Sequence, residues 1–97
     1  MNYSLHTLAK NDVVDAQIHY EQQAGQPIAK RFMDELERVI QLLLQNPGFG
    51  TPIARERRIY PLKHFPYSLV YRVQDDHLYI LIVRHQRQRP DYASKRH

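Results

Sequence analysis

Four side chains in the second half of this sequence could do chemistry together. His85, Arg87, Arg89 and Tyr92 fall within eight residues, and they are the types that a metal-free cleavage of RNA needs. One group must take the 2′-hydroxyl proton, cations must steady the charge building on phosphorus, and an acid must protonate the leaving oxygen. An aromatic ring would add a platform for an unpaired base. Arg58 and Tyr60, two residues apart on an extended segment, share one face and offer a further cation and ring. Each group also has a plainer reading. His85 closes a strand and equally serves to hydrogen-bond a neighbouring loop. Arg87, Arg89, Lys95 and Arg96 equally form a solvated tail, and Tyr67 and Tyr71 read as packing on a sheet face. His6, His19, His64, His77 and His97 lack the spacing with acidic partners that a metal site needs, so neither metal nor cofactor is expected.

Charge directs attention to the same half. The chain has 97 residues and a formal net charge of +4. Residues 1–49 hold four Lys/Arg against six Asp/Glu, whereas residues 50–97 hold ten against four. Clustered Lys/Arg favours a polyanion or an acidic protein segment as partner. With no cysteine there are no disulfides or thiolate metal sites, which fits a reducing, cytoplasmic setting. Lys10, Asp12 and Asp15 interrupt the first twenty residues, so no apolar signal core is expected. The longest apolar run, Leu78 to Val83, is far too short to span a bilayer.

The elements that must position these groups follow from periodicity. Tyr3 to Thr7 reads as an opening edge strand. Ala9, Val13, Ala16 and Tyr20 recur at helical spacing, which predicts a helix from Ala9 to about Gln23, stopped by Gly25. Pro27 suits the first turn of a second helix, whose stripe is Ile28, Phe32, Leu36, Val39, Ile40 and Leu43. Asn46-Pro47 ends that helix, and Phe49 to Pro52 is expected as loop. The period then falls to two. Arg57 to Leu62 is a strand that Pro61 ends or confines to an edge. Tyr67 to Val73 is a second strand, Gln74-Asp75-Asp76-His77 a turn, and Leu78 to His85 a third strand lying antiparallel to it. Alternation predicts Tyr79, Leu81, Val83 and His85 on one face of that strand and Arg84 on the other. The apolar run marks the strand as central. The expected architecture is α+β: an N-terminal strand, a two-helix hairpin, then a three-stranded antiparallel segment with a basic C-terminal tail, all in one domain over residues 1–97.

In this order the sequence resembles the RelE/ParE toxin superfamily, whose members include plasmid-stabilisation proteins. The matching pieces are Tyr20-Glu21-Gln22-Gln23, Arg31-Phe32, Asn46-Pro47, Arg58, Phe65-Pro66-Tyr67 and Tyr71-Arg72. They continue through His85-Gln86-Arg87-Gln88-Arg89-Pro90-Asp91-Tyr92 to Arg96. The resemblance implies a helical hairpin packed on a curved antiparallel sheet. It also implies a toxin neutralised in a hetero-oligomer by a cognate antitoxin, whose flexible segment covers basic surface; an acidic segment would match the charge of the second half.

On that basis Arg72, Arg84, Arg87, Arg89, Lys95 and Arg96 are candidates for contact with antitoxin or target. A ParE-like toxin would inhibit growth by binding DNA gyrase. A RelE-like toxin would cut mRNA on the ribosome, with His85, Arg87, Tyr92 and Arg58 as its catalytic candidates. A remnant that only binds antitoxin is a third possibility. Two departures bear on the choice. Asp91-Tyr92-Ala93 stands where many relatives carry Gly-Tyr-Trp, which removes an aromatic anchor and adds a negative charge. Lys63 is the only lysine between Lys30 and Lys95, unlike the lysine-rich RelE-type nucleases. The gyrase-binding reading is therefore the leading expectation.

Overall fold

Gly25 is the pivot of the first half of the chain. At φ 91° it adopts a conformation that side-chain-bearing residues disfavour, so one residue both closes the first helix and opens the second. The computed structural model describes residues 1–87. A strand β1 (Asn2–Leu5) leads into helix α1 (Thr7–Ala24), then α2 (Gln26–Gln45). A short 3₁₀ turn over Pro47–Phe49 follows, then β2 (Thr51–Ile53), β3 (Arg57–Pro61), β4 (Tyr67–Gln74) and β5 (His77–His85). β1 stops sooner than the sequence suggests because His6 caps α1, its Nδ1 accepting the Leu8 N–H at 3.1 Å.

The five strands form one sheet in the order β1-β5-β4-β3-β2. β1 runs parallel to β5, and every other neighbouring pair is antiparallel. The expected opening edge strand and the three antiparallel strands are all present. β2 is an addition where the sequence predicts loop, since Pro52 sits in its middle and its three residues are exposed. A proline-bearing strand is tolerated at an edge, and β2 is one.

The helices cover one face of the sheet. Phe32, Leu36, Val39, Ile40 and Leu43 of α2 are buried against Leu69, Tyr71, Leu78, Ile80 and Val83. Burying each side chain of this size contributes roughly 1.5–3 kcal/mol. Tyr20, Phe32, Phe65 and Tyr67 close one end of this core with ring centroids 5.1 to 6.2 Å apart, mostly edge to face. Two acids also lie on the apolar stripes. Asp12, between Ala9 and Ala16, accepts the Val83 N–H at 3.0 Å. Glu35, between Phe32 and Val39, accepts the His64 N–H at 2.8 Å. Each gives an acceptor to a backbone N–H away from the regular sheet ladder.

A bulge corrects the expected faces of β5. Val70 pairs with Ile82 and Tyr71 with Ile80, so Leu81 is an extra residue on β5. Leu81 and Ile82 both join Val70 on the outer face, with Ile59 and Tyr79 packed beside them. Val83 returns to the helix-covered face, and His85 follows it by alternation. Tyr79 and Leu81 therefore lie on the opposite face from Val83 and His85. Alternation alone could not show this, because every residue from Leu78 to Val83 is apolar or aromatic and no polar residue marks the slip.

Candidate functional site

Among the described residues, the outer face of the sheet carries no helix and gathers arginines. Its centre is the cluster of Val70, Leu81 and Ile82. Around that centre stand Arg57 on β3, Arg72 on β4 and Arg84 on β5, all placed by strand alternation. Arg84 is paired across the ladder with Ser68. The Arg72 guanidinium lies 4.6 Å over the Tyr79 ring and donates to the Gln74 side chain. His77 stacks beside Tyr79 at 4.4 Å and hydrogen-bonds Ser4 at 2.9 Å.

Arg57 is unusual for a charged residue, being only 8% exposed. Burial lowers its pKa from the ordinary value, and the like charges of Arg55 and Arg72 push in the same direction. Arg55, Glu56, Arg57 and Arg72 line one cleft of about 310 Å³. A neighbouring cleft of about 260 Å³ shares Glu56 and Arg72 and adds Pro47, Gly48, Arg58, Tyr71 and Val73.

Arg58 works chiefly on its own loop. Its Nη1 donates to the Gly50 carbonyl at 2.7 Å and to that of Gly48 at 3.4 Å. The same loop is fixed by the Tyr71 hydroxyl, which donates to the Pro47 carbonyl at 2.6 Å and accepts the Gly50 N–H at 2.9 Å. Burial raises the Tyr71 pKa, and the Gly50 N–H and Arg58 act in the opposite direction. Gly50 is required by proximity, because a Cβ there would lie 2.5 Å from the Tyr71 hydroxyl and 2.9 Å from the Arg58 Cβ.

His85 lies four residues of β4 and two strands away from Arg58. Its Nδ1 accepts the Arg87 N–H at 3.1 Å, so the neutral ring carries its proton on Nε2. Its ring meets Tyr67 edge on at 5.2 Å. The crevice around it is lined by Asp12, Asp15, Ala16, His19, Tyr67 and Val83. Arg87 is exposed just beyond, where Gln86 N–H bonds the Pro66 carbonyl at 2.8 Å. Across the sheet, His85 pairs with Tyr67 and Arg58 with Tyr71. With four residues of β4 and two strand spacings between them, their backbones stand about 16 Å apart.

The candidates thus separate into groups. Arg72 and Arg84 share the outer face, His85 and Arg87 share a turn, and Arg58 belongs to the Pro47–Gly50 loop. Arg89, Tyr92, Lys95 and Arg96 lie outside the described residues. Sequence reasoning passed over Arg55, Arg57, Asp12 and Glu35. For the two acids a signal was present, since each falls on an apolar stripe at helical spacing. No group of His, Cys, Asp or Glu able to hold a metal occurs among the described residues. No helix among them is long and apolar enough to cross a membrane.

A helical hairpin on one face of a largely antiparallel sheet, with arginines on the other, defines a small α+β domain with a basic surface. Residues 3–90 match the family model described as the ParE toxin of the type II toxin–antitoxin system parDE, and the chain belongs to that family. It is a type II toxin, and the superfamily resemblance read from the sequence is borne out. A solved structure described as the chromosomal ParDE TA system from P. aeruginosa is similar in fold, with a TM-score of 0.78 and 23% identity. The match covers 88% of this chain and 95% of that one. No curated protein matches.

Proposed function

We propose that this toxin, one domain over residues 1–97, inhibits growth in the cytoplasm by binding DNA gyrase, and that a cognate antitoxin neutralises it in a hetero-oligomer. Family membership supports an antitoxin partner. The outer face suits an antitoxin segment that is acidic and carries apolar side chains. Such a segment would set its acids on Arg72 and Arg84 and its apolar residues over Ile59 and Tyr79. Arg87, with Arg89, Lys95 and Arg96, would extend that contact or engage gyrase.

The observation that favours binding over cleavage is the separation of His85 from Arg58, which leaves Arg87 as the one described catalytic candidate beside the histidine. A nuclease needs its base and its phosphate cation within hydrogen-bond reach of one scissile group. At about 16 Å between backbones, with Arg58 bonded to Gly50 and His85 Nδ1 to Arg87 N–H, the two serve different parts of the fold.

The test is induction of the toxin without antitoxin. The expected result is growth arrest with double-strand DNA breaks and intact transcripts, together with inhibition of purified gyrase. Arrest should survive His85→Ala and Tyr92→Phe. Codon-linked mRNA cleavage that either substitution abolishes would overturn the proposal in favour of the RelE-like nuclease. Absence of arrest would leave only antitoxin binding.

A further inference from the structure

The β2–β3 corner gathers like charges. Arg58 pairs with Tyr71, so continuing the register one step sets Arg57 beside Arg72. Like charges directly opposite one another destabilise a sheet. Arg57 is also buried, and Arg55 and Arg72 both disfavour its charge.

The turn leading into β3 adds to the oddity. Arg55 and Glu56 both have positive φ, at 64° and 58°, in a region where Asn, Asp or Gly is usual. The β4–β5 turn has the same shape, with φ of 53° and 59°, and uses Asp75 and Asp76 there. The β2–β3 turn thus gives up favourable turn chemistry for an arginine and a glutamate, and the arginine lines the same cleft as Arg57 and Arg72. Strain of this kind, together with convergent like charges, concentrates where a ligand is bound.

We propose that Arg55, Arg57 and Arg72 form a binding site for a phosphate-bearing anion of charge two or more, at the edge of the same outer face. Planar guanidinium groups suit phosphate oxygens because they donate in pairs. The cleft, about 310 Å³, has room for a diphosphate. Glu56 lines the same cleft and tempers its field, which limits affinity for singly charged anions. An acidic peptide is the competing occupant, but carboxylates spaced along a chain do not match three cations converging on one cleft. The site shares Arg72 with the antitoxin contact proposed above, but titrating the toxin alone with a phosphate anion succeeds or fails independently of gyrase and antitoxin.

Calorimetric titration of the full-length chain with inorganic pyrophosphate tests this. Binding is expected, weakening as salt rises. Arg55→Gln and Arg72→Gln should each reduce affinity about tenfold, the loss of one charge-assisted pair. Glu56→Gln should tighten it. Arg55 is exposed, so its substitution leaves the fold intact.

Competition by a 5′-phosphorylated oligonucleotide, but not its 5′-hydroxyl twin, would identify a nucleic-acid end as the source. Competition by a nucleoside diphosphate alone would identify a free nucleotide. Failure of pyrophosphate to bind, or indifference to both arginine substitutions, would overturn the proposal.

Discussion

Tyr71→Phe removes a single oxygen, and with it both bonds that the Tyr71 hydroxyl makes to the Pro47–Gly50 loop. The Gly50 N–H is buried and has that hydroxyl as its acceptor at 2.9 Å, while the Pro47 carbonyl takes the hydroxyl proton at 2.6 Å. Leaving a buried N–H unsatisfied costs about 2 kcal/mol, and a half-buried carbonyl about 1 kcal/mol. Relief from burying the hydroxyl offsets part of this, so the net loss should be about 2–3 kcal/mol. In a domain of this size that lowers Tm by about 10–20 °C.

Urea unfolding followed by circular dichroism measures the effect, with an unchanged slope showing that only stability has moved. Gly50→Ala supplies the partner for a double-mutant cycle. Its Cβ would meet the Tyr71 hydroxyl at 2.5 Å, but also the Tyr71 Cε1 at 2.8 Å and the Arg58 Cβ at 2.9 Å. The alanine should therefore be damaging in both backgrounds, and less so once Tyr71→Phe has removed the hydroxyl, giving losses that are less than additive. A loss below about 0.5 kcal/mol for Tyr71→Phe would refute the reasoning, since the loop would then be held by Arg58 alone.

Two further outcomes follow from buried polar groups. Asp12→Ala should cost about 2 kcal/mol by stranding the Val83 N–H, whereas Asp12→Asn keeps an acceptor and should lose much less; equal losses in urea midpoints would mean that charge matters, not the bond. Burial, chiefly, raises the pKa of Tyr20, Tyr67 and Tyr71 above the ordinary tyrosine value. The folded state therefore holds these protons more tightly than the unfolded state. Stability should be complete below about pH 10 and fall as pH rises through the folded values. Phenolate absorbance would record these tyrosines ionising late and together with unfolding; three early, independent titrations would contradict it.

Much of the fold was legible because single patterns governed single elements. The α2 stripe from Phe32 to Leu43 has only one helical reading, and Gly25 before Pro27 has only one hinge reading. What escaped detection depended on contacts distant in sequence. β2 carries a proline and becomes a strand only because β3 lies alongside it. The Leu81 bulge hides in a run where every residue is apolar or aromatic. Arg57 looks like any surface arginine until its register beside Arg72 is known. Among the candidate residues, suitable chemistry overstated unity: His85 and Arg58 stand about 16 Å apart on the sheet. Asp12 and Glu35 were readable in principle, since a carboxylate on an apolar stripe must have a buried partner.

The parallel pairing of β1 with β5 has a consequence for how the protein is made. The opening residues wait, unpaired, until almost the whole described chain has been synthesised, because among the described residues their only neighbour in the sheet is its last strand. Until then the helical hairpin has no complete sheet to cover its apolar stripe. A nascent chain interrupted before β5 would also lack Arg84 and the His85 turn. Pairing of β1 and completion of the basic outer face thus become nearly the same event, leaving a chain without β5 open to capture or degradation.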